Sequence, residues 1–203
     1  MQPFLVSSCQ EPPLLLNWSS GSVRQGRFPF IHGVSFMIKA GILSDTHLTR
    51  VTPDFLEAVR RCFADCEVII HAGDTVDVFM LDAFRGKKVY AVHGNCCGAA
   101  TQAALPKQLE FELGGFKIAL THGNQFGRHG VDIEPGLIAH FPEADCLIYG
   151  HTHNAVCHHT AGKLLINPGS FQLGGRYGHP CTYATLEIGE ELLGSIHHHI
   201  PGR

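Results

Sequence analysis

The sequence predicts an α/β protein in which two β-sheets pack face to face with helices on their outer sides. Three observations lead there. From Met37 to about residue 95, short apolar runs alternate with segments of helical period, as parallel strands joined by helical crossovers do. After residue 107 the pattern changes to mostly strands. Finally, the apolar runs of the first half stop abruptly at Gly-rich polar clusters, which is how strands end when a site lies beyond their carboxyl ends.

Residues 1–36 stand apart from this pattern. Pro3, Pro12, Pro13 and Pro29, with Ser19-Ser20-Gly21-Ser22, interrupt any helical or strand period. They are read as an N-terminal extension, flexible or non-functional, and residues 37–203 as the domain. Val6-Ser7-Ser8-Cys9 has the outline of a lipoprotein cleavage site but lacks a basic start and an apolar run, so no export signal is expected.

Met37-Ile38-Lys39-Ala40-Gly41-Ile42-Leu43 predicts the first strand. Thr52-Pro53 opens a helix, with Thr as N-cap and Pro at the first helical position, and Phe55, Leu56, Val59, Cys62 and Phe63 share one face. Val68-Ile69-Ile70 is the second strand. Gly73-Asp74 leads into a helix with Val76, Phe79, Met80, Ala83 and Phe84 on one face, and Val89–Val92 forms the third strand, ending at Gly94-Asn95. Gln108–Leu113 and Phe116–Thr121 flank Gly114-Gly115, a hairpin signal. A helix at 133–140 and strands at 146–149, 155–160, 163–167 and 182–188 complete the elements. Asn167-Pro168-Gly169-Ser170 fits a type II turn. His197-His198-His199 is read as a solvated chain end in preference to a metal tract.

Composition narrows the function. Hydrophobic residues make up 44% and charged residues 16% of 203, enough apolar material for a core and too little charge for a disordered chain. With 15 Lys+Arg against 18 Asp+Glu the formal charge is −3, so general nucleic-acid binding is not expected. No apolar run approaches the roughly 20 residues that span a bilayer, so no membrane insertion is expected. Eight cysteines without a C-x-x-C pair suit a reducing, cytoplasmic setting better than a disulfide framework. The 15 histidines are the unusual feature.

Their placement carries the chemistry. Successive strands run into Asp45-Thr46-His47, Gly73-Asp74, Gly94-Asn95, His122-Gly123 and Gly150-His151-Thr152-His153. Each piece alone is a common turn sequence. Together they would converge beyond the strand ends and gather Asp45, His47, Asp74, Asn95, His122, His151 and His153 around metal. Imidazole, carboxylate and amide donors suit manganese, iron, zinc or nickel better than calcium. His71 is read as a packing or supporting residue, and nothing distinguishes His93 from an ordinary strand-end histidine.

The order D-x-H, G-D, G-N, H-G, G-H-x-H over about residues 37–190 resembles the calcineurin-like metallophosphoesterase superfamily, and most closely its small single-domain prokaryotic phosphodiesterase branch. The resemblance implies a four-layer αββα sandwich of two mixed sheets and two divalent metal ions per chain, manganese first. Carried over by position, Asp45, His47, Asp74 and His153 would hold one ion. Asp74 would bridge to a second, completed by Asn95, His122 and His151. Such a pair would clamp phosphate oxygens and acidify a bridging water to the attacking hydroxide, giving a cytoplasmic phosphodiesterase acting on a small phosphoester. A homo-oligomer is compatible with this reading.

Departures from the family pattern surround Asn95. Many family phosphatases have His after the metal-binding Asn, placed to protonate the leaving alkoxide, whereas Cys96 stands here. A thiol is not the usual catalytic acid, which favours diesters with leaving groups that need little protonation; Cys96 packing inertly beside the metals is the equal alternative. Cys97 replaces a common Asp, Asn124 a frequent His, and Gly175-Arg176 stands one residue late for the family's Pro-Arg, which leaves Arg176 a weak phosphate-contact candidate. The competing readings are a phosphomonoesterase with the same site, a non-catalytic protein-binding scaffold of the same fold, and a single structural zinc. Seven retained ligands argue against the scaffold, and an oxygen-rich donor set against the zinc.

Overall fold

A computed structural model of the chain describes residues 37–128, 131–172 and 181–199. The extension at 1–36 and Arg176 lie outside the described residues. β1 (Ile38–Leu43), β2 (Val68–His71) and β3 (Lys88–Ala91) run parallel. β4 (Gln108–Leu113) pairs antiparallel with β5 (Phe116–Thr121), and β6 (Cys146–Ile148) adds parallel to β5. β7 (Val156–Thr160) pairs antiparallel with β8 (Lys163–Asn167), as β9 (Thr182–Ile188) does with β10 (Leu192–His198). Two mixed five-stranded sheets result, ordered β10-β9-β1-β2-β3 and β4-β5-β6-β8-β7.

The side-chain period of two builds the layers. Ala40, Ile42, Val68 and Ile70 of the first sheet share a buried cluster with Ile118, Leu120, Ile148 and Ile166 of the second. The alternate residues Leu43 and Ile69 pack on Phe55, Ala58, Val59 and Phe63 of α1 (Pro53–Phe63). On the far side, Ala119, Leu147 and Leu165 pack on Ile133, Phe141 and Leu137, the last on α3 (Glu134–His140). Both sheets are thus covered on two faces, which is why their inner parallel strands read as unbroken apolar runs. The architecture is the expected αββα sandwich. α1 begins as its sequence predicts: the Phe55 N–H donates to Thr52 Oγ1 at 3.2 Å, with Pro53 in the first turn.

Four details differ from the sequence reading. The segment after Asp74 forms a 3-10 helix, Val78–Phe84, that starts late because Val76 takes φ 53° and Asp77 caps it through the Phe79 N–H. Phe79 points away from the core and is 71% exposed, while Met80 and Phe84 are buried. A short α2 (Ala99–Ala104) follows β3; its Thr101 Oγ1 donates to the Val76 carbonyl and accepts from the Val78 N–H, both at 2.9 Å. The histidine run is not wholly solvated: His198 is exposed, but His197 lies in β10, stacks on Tyr183 and contacts Thr185 Oγ1 at 2.8 Å, and His199 is buried against Phe171 and Cys62. Strand pairing and aromatic stacking, invisible in a histidine run, decide this. Among the described residues no helix is long and apolar enough to cross a membrane.

Candidate metal centre

Five of the candidate residues adopt a backbone conformation that L-residues avoid: φ is 55° at Asp45, 50° at His47, 54° at Asp74, 66° at His151 and 57° at His153. Each such residue costs about 1–3 kcal/mol and persists only where its surroundings over-determine it. Here the loops hold one another. The Asp45 N–H donates to the Gly73 carbonyl and the His47 N–H to the Asp74 carbonyl, both at 3.0 Å, tying the ends of β1 and β2. The Gly150 N–H donates to the His122 carbonyl at 3.1 Å, tying the ends of β5 and β6. The two pairs meet where the His151 N–H donates to Asp45 Oδ2 at 3.1 Å.

Three groups of donor atoms result, each with all its atoms within 4.8 Å of one another: Asp45, His47 and His153; Asp45, Asp74 and His122; and His47, Asp74 and Cys96. In the first, Asp45 Oδ1 stands 3.1 Å from His153 Nε2 and 3.8 Å from His47 Nε2, and the two imidazole nitrogens are 3.4 Å apart. Atoms ligating one ion at roughly 2.1 Å are themselves about 3.0–3.4 Å apart, so this spacing suits a shared cation. Asp74 belongs to two groups, as a bridging carboxylate would, and so does Asp45. His151 is buried beside His122, with ring centroids 5.2 Å apart, but belongs to none of the three groups. Asn95 is exposed at the rim and its side-chain amide donates to Cys96 Sγ at 3.3 Å.

His122 tests the fit of a metal most directly. A carbonyl only accepts, so the 2.8 Å contact between Nδ1 and the Ala72 carbonyl fixes the proton on Nδ1. In the neutral ring Nε2 then carries the lone pair. This atom is fully buried, makes no hydrogen bond, and stands 3.3 Å from Asp74 Oδ2 and 3.9 Å from Asp45 Oδ1. A metal-binding imidazole anchored by a backbone carbonyl has this arrangement. The residues present therefore fit divalent cations.

Burial disfavours a charged His122, yet Asp45 and Asp74 push its pKa up to about 9, so without a cation the ring carries a second proton on Nε2, which a bound metal would displace. Burial likewise opposes the Asp45 and Asp74 carboxylates, but His122 together with His153 and Ser44 at Asp45, and with the Cys96 N–H at Asp74, holds both below the ordinary range. Two buried carboxylates that stay ionised create a demand for positive charge. Burial lowers the pKa of His47 despite Asp45 and Asp74. Burial and Asp74 push the Cys96 thiol up to about 12.

Several supporting residues escape a sequence reading. Asn167, fully buried, donates to the Gly150 carbonyl and to Thr152 Oγ1, both at 2.9 Å, and accepts from the Gly169 N–H. It clamps the loop that carries His151 and His153 to the turn at 167–170, where Gly169 takes φ 78° as a type II turn requires. Ser170 Oγ donates to the Asp45 carbonyl at 3.0 Å, and Ser44 Oγ donates to Asp45 Oδ2. His71 Nδ1 accepts the Gly73 N–H at 3.2 Å, shaping the turn that presents Asp74. Cys97 is buried and accepts the Gly94 N–H. The signal for Asn167 was its place in the Asn-Pro-Gly-Ser turn; its reach to Gly150 is a tertiary fact.

Comparisons with known proteins follow the same lines. Residues 38–191 match the calcineurin-like phosphoesterase superfamily domain. The chain is similar to a probable metallophosphoesterase of Methanocaldococcus jannaschii, 34% identical over 142 residues that cover 70% of this chain and 71% of the relative. It is also similar to a phosphodiesterase of the same archaeon, 29% identical over 150 residues, 65% of this chain and 83% of the relative. Vacuolar protein sorting 29 from Cryptosporidium parvum shares the fold, with a TM-score of 0.68 at 19% identity over 83% of this chain and 95% of that one.

Proposed function

The chain belongs to the calcineurin-like phosphoesterase superfamily, and from that membership we propose that it is a metal-dependent phosphodiesterase. The observation that carries the reading is the convergence of Asp45, His47, Asp74, His122 and His153 from both sheets, with the buried His122 Nε2 lacking a hydrogen bond. Asp45, His47, Asp74 and His153 would hold one divalent ion, and Asn95, His122 and His151, together with Asp74, would hold a second. When bound, ions of the manganese-to-zinc series supply Lewis acidity toward phosphate oxygens and a more acidic water.

The chain's own groups do the rest. Asp45 and Asp74 provide the anionic charge that holds cations, and the Ala72 carbonyl keeps the His122 proton on Nδ1 so that Nε2 faces the site. The diester preference follows from Cys96. An effective general acid has a pKa near the working pH, and a thiol pushed up to about 12 releases its proton poorly. Alkyl monoesters, whose leaving group needs that proton, are served badly; diesters with aryl or nucleoside leaving groups need it less. Seven free cysteines among the described residues support a reducing, cytoplasmic setting.

The test compares kcat/KM for bis(p-nitrophenyl) phosphate and p-nitrophenyl phosphate in chelator-stripped and metal-reloaded protein. Stripping abolishes hydrolysis, reloading restores it, and the diester is preferred by at least about tenfold. Undiminished activity after stripping refutes the metal reading, and a monoester preference refutes the substrate class. At equal metal occupancy, Cys96→His shifts the ratio toward the monoester by about tenfold or more, since general acid help is worth roughly 10²–10⁴-fold.

A further inference from the structure

The third donor group contains a residue type that phosphoester chemistry does not require. His47 and Asp74, both candidate ligands, lie with the Cys96 thiol so that one nitrogen, one oxygen and one sulfur fall within 4.8 Å of one another. The sulfur is held in place. The Cys96 N–H donates to Asp74 Oδ1 at 2.8 Å, fixing the start of its side chain beside the carboxylate, and the Asn95 amide donates to Sγ at 3.3 Å. The Asp74 oxygen engaged by that N–H is Oδ1, while Oδ2 faces His122. The carboxylate therefore spans from the His122 side of the centre to the Cys96 side.

We infer that Cys96 Sγ is itself a metal ligand, completing with His47 and Asp74 a nitrogen–oxygen–sulfur set at the mouth of the centre. The inference rests on the metal-centre reading above and refines which cation it takes. On coordination the S–H bond breaks, its electron pair stays on sulfur and forms the metal–sulfur bond, and the proton passes to solvent. Thiolate donors select zinc and other thiophilic ions over manganese, which prefers oxygen ligands. A coordinated sulfur has no proton to give, so Cys96 would not serve as the leaving-group acid.

The experiment titrates the chelator-stripped full chain with cobalt(II) and records its absorption spectrum. Wild-type protein and Cys97→Ser, a change at the neighbouring buried thiol, show visible d–d bands together with a near-ultraviolet sulfur-to-cobalt charge-transfer band. Cys96→Ser keeps the visible bands and loses the charge-transfer band. In parallel chelator competition, Cys96→Ser binds zinc at least about tenfold more weakly while its manganese affinity stays within about threefold. Visible bands without charge transfer in wild-type protein overturn the inference and leave the metal centre standing. A charge-transfer band that survives in Cys96→Ser also overturns it. Failure of cobalt, zinc and manganese alike to bind overturns both the inference and the metal-centre reading.

Discussion

Asn167 is not among the proposed ligands, yet the His151–His153 loop hangs on it. Replacing it with Ala leaves the Gly150 carbonyl without that donor, a cost of about 1–3 kcal/mol for a buried acceptor. It also frees the loop, and loss of such a supporting contact typically weakens metal binding about 10–100-fold. Chelator competition and urea unfolding on Asn167→Ala check both; lowered stability with unchanged metal affinity would make the role purely structural. His71 gives a second expectation. Burial drives its pKa down to about 4, against 6.5 when unfolded. Between those values the unfolded chain binds more protons, so stability falls as pH drops from about 6.5 toward 4, by up to about 3 kcal/mol. Below about pH 6 His122, raised to about 9, is protonated in both states and adds little slope, Asp45 and Asp74 titrate lower still, and His47, lowered by burial, acts in the same direction as His71. Urea midpoints of metal-free protein at pH 6 and pH 5 measure the slope. His71→Gln, which keeps an acceptor for the Gly73 N–H, flattens it; an unaltered slope assigns it to other groups.

At the scale of elements, the site depends on how strands stop. β3 ends at Ala91, and three residues on the chain needs a glycine, because a Cβ at Gly94 would lie 2.7 Å from His122 Cδ2 and 2.8 Å from Asp74 Cγ. Neither neighbour can retreat, since His122 is tied to Ala72 and Asp74 to the Cys96 N–H. Gly94→Ala should therefore fold, on the strength of both sheets, while losing most of its metal affinity, as isothermal titration with zinc would show. Native-like metal affinity would mean that the strand end has more room than these distances allow. The same elements show what the sequence carries. Strands buried on both faces and a capped α1 are local patterns and could be read directly, as could the strand-end Gly-polar pairs. The late start of the 3-10 helix could not, because it follows from the unusual φ of Val76. β10 was hidden as well: its histidines become strand residues only by pairing with Tyr183 and Thr182.

For the whole molecule, the αββα sandwich and every candidate donor lie within residues 37–199, and the family match covers 38–191. We propose that residues 1–36 are an extension outside the working domain. A protein beginning at Met37 is expected to be soluble, with the urea midpoint and metal content of the full chain. Loss of soluble protein or of metal would show that the extension belongs to the domain.

Asp45 and Asp74 follow strands of one sheet, while His122 and His153 come from the other, and Asp45 and His153 are separated by 108 residues. A cation held between them would work as a clasp across the seam of the sandwich. Its departure would not need to melt either sheet or part them, because the His151 N–H still reaches Asp45 and the apolar seam behind it still joins the halves. The clasp would then set the charge balance of the seam and not its closure.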